Sequence, residues 1–152
     1  MTTIRIYTGA KGSGKTSSLL EYCNNDNSIA GILTPIVNGK RCFYDIASKT
    51  LFDMEFCDDL NDTVIVVGKY LFSAQGFAKA SHILQQIACN STTEIIVDEI
   101  GPLELNNNGF AFVLKELLKQ NNLNLLLVVR EGLVQSVIDY FSLKNVTIIT
   151  SI

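Results

Sequence analysis

The chain has 152 residues, 47% apolar and 18% charged, with 12 basic against 15 acidic side chains and a net charge of −3. That length suits one domain, expected to span 1–152, and the apolar content excludes a disordered tail. A mildly acidic chain carries no electrostatic footprint for nucleic acid, and no apolar run reaches membrane-spanning length.

In chain order, IRIYTG (Ile4 to Gly9) reads as the first strand and KTSSLLEYC (Lys15 to Cys23) as a helix ended by Asn24-Asn25-Asp26-Asn27. AGILTPIV (Ala30 to Val37) is extended, and Asn38-Gly39-Lys40 supplies a hairpin turn. The section of about 33–58 therefore reads as an insertion of antiparallel hairpins at one sheet edge. Most of its aromatic residues, Phe43, Tyr44, Phe52 and Phe56, are expected in the core. TVIVVG (Thr63 to Gly68) has the length of a buried strand, and a helix is expected over about Phe77 to Cys89. TEIIVDEIG reads as strand then turn, GFAFVLKELLKQ as a helix, NLLLVVR as a buried strand, LVQSVIDYF as a helix and NVTIIT as the last strand. Strands alternating with helices predict a parallel sheet covered on both faces.

The start, MTTIRIYTGAKG, lacks the charged and apolar regions of a signal peptide, so the expected location is the cytoplasm. The cysteines, Cys23, Cys42, Cys57 and Cys89, have no metal-ligand or redox spacing and are expected to be reduced. His82 is the one histidine, which argues against a histidine-based triad or a histidine-rich metal site.

The stretch Gly9-Ala10-Lys11-Gly12-Ser13-Gly14-Lys15-Thr16 lies between the first strand and the first helix. Chance would place its Gly-x-x-x-x-Gly-Lys-Thr pattern in only about one in two hundred chains of this length. The glycines let the backbone curl so that its N–H groups converge on an anion, and the helix N-terminus, where Ser17 follows, adds positive potential. Lys15 would reach the β- and γ-phosphates of a nucleotide, and Thr16 Oγ would bind Mg²⁺. Lys11 lies in the same loop.

EIIVDEIGPLEL supplies the second signal. Asp98 falls at the C-terminal end of a buried strand, where parallel sheets hold ligands, and is the expected metal-side acid. Glu99, one residue on, is placed to orient or deprotonate the attacking water. Glu104 is either a site residue or a capping carboxylate. Lys69 follows the TVIVVG strand and is a candidate phosphate-binding residue at the same ligand end, with a solvated loop lysine as the alternative. Tyr70 beside it can stack on a base or simply pack. Arg130 ends NLLLVVR and is a candidate catalytic arginine acting in cis, with a salt bridge to a neighbouring acid such as Glu131 as the alternative.

GAKGSGKT, VVGKY (Val66 to Tyr70), FAKA and VDEIGPLEL (Val97 to Leu105), in that order, resemble the THEP1-like nucleoside-triphosphatases. The similarity spans most of the chain and includes the GILTPIV and GKRCFYDI segments. It implies a three-layer P-loop core of the RecA-like kind with a catalytic glutamate, and Mg²⁺-dependent hydrolysis of nucleoside triphosphates with loose base selectivity. It matches Lys15 and Thr16 to the loop pair, Asp98 to the metal-side acid, Glu99 to the catalytic acid, and Lys69 and Tyr70 to the Gly-Lys-Tyr segment. Family members commonly run on past the last strand through an Asn-Arg segment, where this sequence reads NVTIITSI. There is no Asn-Lys-x-Asp guanine motif either.

The expectation is thus a Mg²⁺-dependent nucleoside-triphosphatase taking ATP or GTP and turning over slowly, with no protein partner named by the sequence. Two rivals stand beside it. A small-molecule kinase needs an acceptor pocket and usually an arginine-rich lid, but the only arginines are Arg5, Arg41 and Arg130. A nucleotide-dependent binding module would use the triphosphate to switch a partner surface.

Overall fold

A computed structural model describes residues 2–87 and 94–152. Fifteen elements follow one another through these residues: β1 (Thr3–Gly9), α1 (Lys15–Cys23), β2 (Ile29–Leu33), β3 (Ile36–Val37), β4 (Lys40–Asp45), β5 (Thr50–Asp53), β6 (Val64–Val67), β7 (Tyr70–Ser73), α2 (Ala74–Ile87), β8 (Glu94–Ile100), α3 (Pro102–Leu105), α4 (Ala111–Leu118), β9 (Asn124–Arg130), α5 (Val134–Tyr140) and β10 (Val146–Ile149).

The main sheet runs β10-β1-β9-β8-β2-β4-β3, with β5 also paired to β4. Strands β10, β1, β9, β8 and β2 are mutually parallel, and β2 turns the sheet antiparallel by pairing with β4. The central strands β9, β8 and β2 are buried and apolar on both faces over most of their length because helices cover both. In β9 the side chains alternate between two cores. Leu125, Leu127 and Val129 pack in the larger one with α2, α4 and α5, and Leu126 and Val128 in the smaller one under α1. The covering is therefore uneven, with α1 on one face and the other helices on the opposite face.

The parallel β2–β8 register ends at Ile32, Leu33 pairs antiparallel with Tyr44 of β4, and Thr34-Pro35 breaks the chain between β2 and β3. Phe43 is fully buried and meets Phe77 edge-on at 5.0 Å, which ties the insertion to α2. Tyr44, Phe52 and Phe56 are only half-buried.

TVIVVG is not a strand of the parallel sheet. It forms β6, paired antiparallel with β7 through the two-residue turn Gly68-Lys69 in a separate small sheet. An apolar run alone does not distinguish a central strand from a hairpin arm. Here only Ile65 and Val67 pack on the core, while Val66 is 67% exposed. The helix expected from Phe77 begins at Ala74, and its expected last residues, including Cys89, lie outside the described residues. Cys23, Cys42 and Cys57 carry free thiols, and burial pushes the Cys23 thiol up to about 11. No helix among the described residues is long and apolar enough to cross a membrane.

Candidate functional site: a phosphate-loop cleft at the strand ends

Four parallel strands finish side by side in the order β1, β9, β8, β2. Gly9 is in register with Arg130, Val97 with Leu127, and Ile32 with Val97. The sheet itself therefore brings the loop after Gly9, Arg130, Asp98 and Thr34 to one edge. A cleft of about 480 Å³ opens there, lined by the loop and α1 start, Asp98, Glu99, Arg130 and Arg41, and closed at its far side by Met54, Phe72, Phe77 and Phe110.

The loop curls through two residues of positive φ, Gly12 at 75° and Gly14 at 84°. Side chains rarely adopt this region, and glycine enters it without a Cβ penalty. Gly14 is the N-cap of α1, and no side chain caps the helix there, so its first N–H groups have no capping side chain. Lys15 Nζ donates to the carbonyls of Gly9 and Ala10 at 3.1 and 2.9 Å and to Ser13 Oγ at 3.4 Å. The ammonium is thus held over the hollow of the loop by neutral acceptors alone. Lys11, Ser13 and Ser17 line the same cleft from exposed positions, while Gly9 and Ala10 form the loop's entry.

Asp98 is 1% exposed. Its Oδ2 accepts from Thr16 Oγ1 at 2.8 Å and from both the N–H and the hydroxyl of Thr34 at 3.1 Å; Oδ1 accepts from the N–H of Glu99 at 2.9 Å. No basic group among the described residues makes an ion pair with it. A buried carboxylate balanced only by neutral donors, next to a threonine hydroxyl, is a hard-oxygen donor set suited to a divalent cation. Thr34 had no signal in the sequence beyond preceding a proline. Its place follows from β2 lying next to β8.

Between Val97 and Ile100 the β8–β9 register slips by one residue. The bulge carries Glu99 at φ 58°, so Asp98 and Glu99 do not simply alternate across the sheet. Asp98 turns inward and Glu99 into the cleft. Burial pushes the Glu99 carboxyl above its ordinary range, opposed by the charge of Arg41, whose Nη1 lies 2.5 Å from Oε1. Arg41 comes from β4. The sequence counted it among three arginines and gave it no task, because nothing local ties it to residue 99.

Arg130 is exposed at the cleft rim and makes no ion pair among the described residues, with Glu131 or any other acid. The strand before Lys69 lies outside the parallel sheet, so Lys69 sits on the β6–β7 turn and not at the end of a parallel strand. Its Nζ stands 5.5 Å from the Tyr70 ring centroid. Tyr70 stacks on Phe72 at 5.6 Å and also has Lys11 and Arg41 at 5.6 Å, and the charges of Lys11 and Lys69 lower its pKa. Glu104 is a buried cap. Its two oxygens accept from the N–H groups of Gly101 and Phe110, each at 2.9 Å, and burial nevertheless raises its pKa to about 7.

A curled glycine loop feeding an uncapped helix, a lysine over the loop, and an acidic strand end two strands away together define a P-loop α/β protein of the kind with an extra strand between loop and acid. The chain belongs to the NTPase family, whose model matches residues 5–151. It is similar to the nucleoside-triphosphatase THEP1 of Methanopyrus kandleri, 29% identical over 111 residues, which is 69% of this chain and 61% of that protein. The chain thus spans about three-fifths of the length of that curated relative. Two solved structures share the fold across 99% of the chain. One is the crystal structure of THEP1 from the hyperthermophile Aquifex aeolicus, with a TM-score of 0.70 at 22% identity and 89% of that chain covered. The other is the solution structure of a human cancer-related nucleoside triphosphatase, with a TM-score of 0.68 at 20% identity and 88% covered.

Proposed function

We propose that this chain is a nucleoside-triphosphatase that cleaves the β–γ anhydride of a triphosphate held in the strand-end cleft. The observation that carries the reading is the Thr16–Asp98 hydrogen bond, which joins the phosphate loop to the acidic strand end in one cleft with Lys15 and Glu99. The loop N–H groups and the α1 start hold the phosphates. Lys15 exchanges its carbonyl acceptors for phosphate oxygens. Thr16 and Asp98 are the residues that would hold Mg²⁺, directly or through water, and the bound cation supplies charge neutralisation for the phosphates.

Glu99 orients a water against the γ-phosphorus and takes its proton. The new P–O bond forms as the bond to the β-bridging oxygen breaks, giving diphosphate and phosphate. Partial desolvation in the cleft favours this task, because it raises the carboxylate's proton affinity against the opposing charge of Arg41. Arg130, exposed at the rim and without an ion-pair partner among the described residues, would meet charge growing on the phosphates.

The test is phosphate release from ATP, GTP, CTP and UTP, with and without Mg²⁺, by wild type and Lys15→Ala. Release that needs Mg²⁺ and Lys15 supports the reading; release indifferent to Lys15 overturns it. The apolar wall of Met54, Phe72, Phe77 and Phe110 favours a second reading, a kinase whose acceptor lies against it. Release of phosphate without any acceptor decides for hydrolysis.

A further inference from the structure

We propose that Arg41, carried by the inserted hairpin into the phosphate-loop cleft and paired there with Glu99, is the residue that distinguishes a bound triphosphate from a diphosphate, leaving Glu99 for the γ-phosphate. This rests on the nucleoside-triphosphatase reading above and assigns a contact which that reading does not need.

The geometry is built for a particular arginine. The Arg41 side chain is only 13% exposed although β4 lies toward the sheet edge. It runs from the hairpin into the cleft, with the Tyr70 ring 5.6 Å from its guanidinium carbon and Glu99 at its tip. Its backbone is fixed as well. Arg41 is in register with Ile36, its N–H donates to the Glu55 carboxylate, and the next N–H, of Cys42, donates to Pro35 O at 2.9 Å. Pro35 follows Thr34, which bonds Asp98, so the hairpin that presents Arg41 is registered against the acidic strand end.

The pair is also exchangeable. Glu99 is 38% exposed and Arg41 offers it one short contact, from Nη1, whereas a guanidinium carries five N–H donors in a planar fork. Phosphate oxygens match that fork better than a single carboxylate oxygen does, and they carry more charge. Glu99 lies at the cleft end that the γ-phosphate must reach for a water held by Glu99 to attack its phosphorus. A diphosphate stops one phosphate short. The arrival of the γ-phosphate therefore draws the guanidinium from Glu99 and frees the carboxylate for water in the same movement. The hairpin is then part of the site, not an ornament at the sheet edge.

The experiment measures affinity, not turnover. The β,γ-imido analogue of ATP and ADP, with their guanine counterparts, are titrated in Mg²⁺ into wild type, Arg41→Ala, Arg41→Lys, Glu99→Gln and the double variant Arg41→Ala/Glu99→Gln. Thermal melts confirm the fold of each, and Arg41→Lys carries the test if Arg41→Ala does not fold. Removing a charge-assisted contact is expected to weaken the imido triphosphate by about tenfold to a hundredfold. ADP is expected to bind within about twofold of wild type, and lysine, without the fork, to restore only part of the loss. The loss is expected to persist in the Glu99→Gln background.

Equal weakening of triphosphate and diphosphate overturns the proposal, as does unchanged triphosphate affinity. A loss that vanishes once Glu99 is glutamine overturns it too, because Arg41 would then act only through Glu99. If wild type binds none of the nucleotides, the hydrolase reading falls with it; if wild type binds them and only the selectivity fails, the hydrolase reading stands.

Discussion

Thr16 and Asp98 stand 82 residues apart in the chain and meet at 2.8 Å, hydroxyl to carboxylate, where the phosphate loop adjoins the acidic strand end. The contact joins the first turn of α1 to the end of β8 across the intervening strand β9, so loop and acid form a single unit.

That unit separates the tasks of Asp98 and Glu99. Asp98→Asn places an amide among three donors that already point at Oδ2, in a site 1% exposed. We expect weaker Mg²⁺ dependence, lower affinity for the Mg-nucleotide complex and a stability loss of about 1–3 kcal/mol. Glu99→Gln keeps the size and binding but loses the base, so kcat should fall at least about a hundredfold with Kd nearly unchanged. Titration and single-turnover hydrolysis of both variants check this. Full activity in Glu99→Gln removes the catalytic role and favours a binding module.

Arg130 has no ion-pair partner among the described residues to lose. Arg130→Ala should therefore leave the melting temperature close to wild type. If its contact strengthens only as charge moves in the transition state, kcat falls while nucleotide affinity holds. Wild-type kcat would leave Arg130 as a solvated rim residue.

Glu104 predicts a pH dependence of stability. Its pKa is raised from 4.5 to about 7 in the folded chain, chiefly by burial. Between those values the folded state binds more protons than the unfolded one, so stability falls as pH rises from about 4.5 to about 7 and levels off above. In Glu104→Gln this contribution disappears, and one of the two backbone donors loses its acceptor, at a cost of about 1–3 kcal/mol. Denaturant midpoints for both proteins across that range test the slope. An identical slope in the variant assigns it to other groups.

Gly31 lies in β2 at φ 135°, and a Cβ there would come within 2.0 Å of the Ile96 carbonyl oxygen on β8. Backbone cannot give way as a side-chain tip would. Gly31→Ala should force β2 from β8 and displace Thr34 from Asp98. We expect a loss above about 3 kcal/mol, more than strained backbone alone usually costs. Near wild-type stability in this variant would show that β2 can shift without breaking its pairing.

Much of this was legible along the chain because it depends on neighbours in sequence. The glycine spacing, Lys15 and Thr16 sit within one turn of each other, and Asp98 announces itself at the end of an apolar run. Alternating strands and helices gave the layered sheet. TVIVVG misled because burial depends on which strands pair, and the two-residue turn Gly68-Lys69 folds the run into a hairpin arm away from the main sheet. Lys69 lies on that turn.

The sequence by itself determined the phosphate loop, the acidic strand end and the parallel core, since each is encoded by spacing along a few consecutive residues. Only the tertiary structure decided what surrounds them. Strand order set Thr34 beside Asp98, the β8 bulge turned Glu99 into the cleft, and the hairpin delivered Arg41 across 58 residues. Contacts of that kind arise from strand pairing and packing between distant segments, and no local pattern of side chains records them.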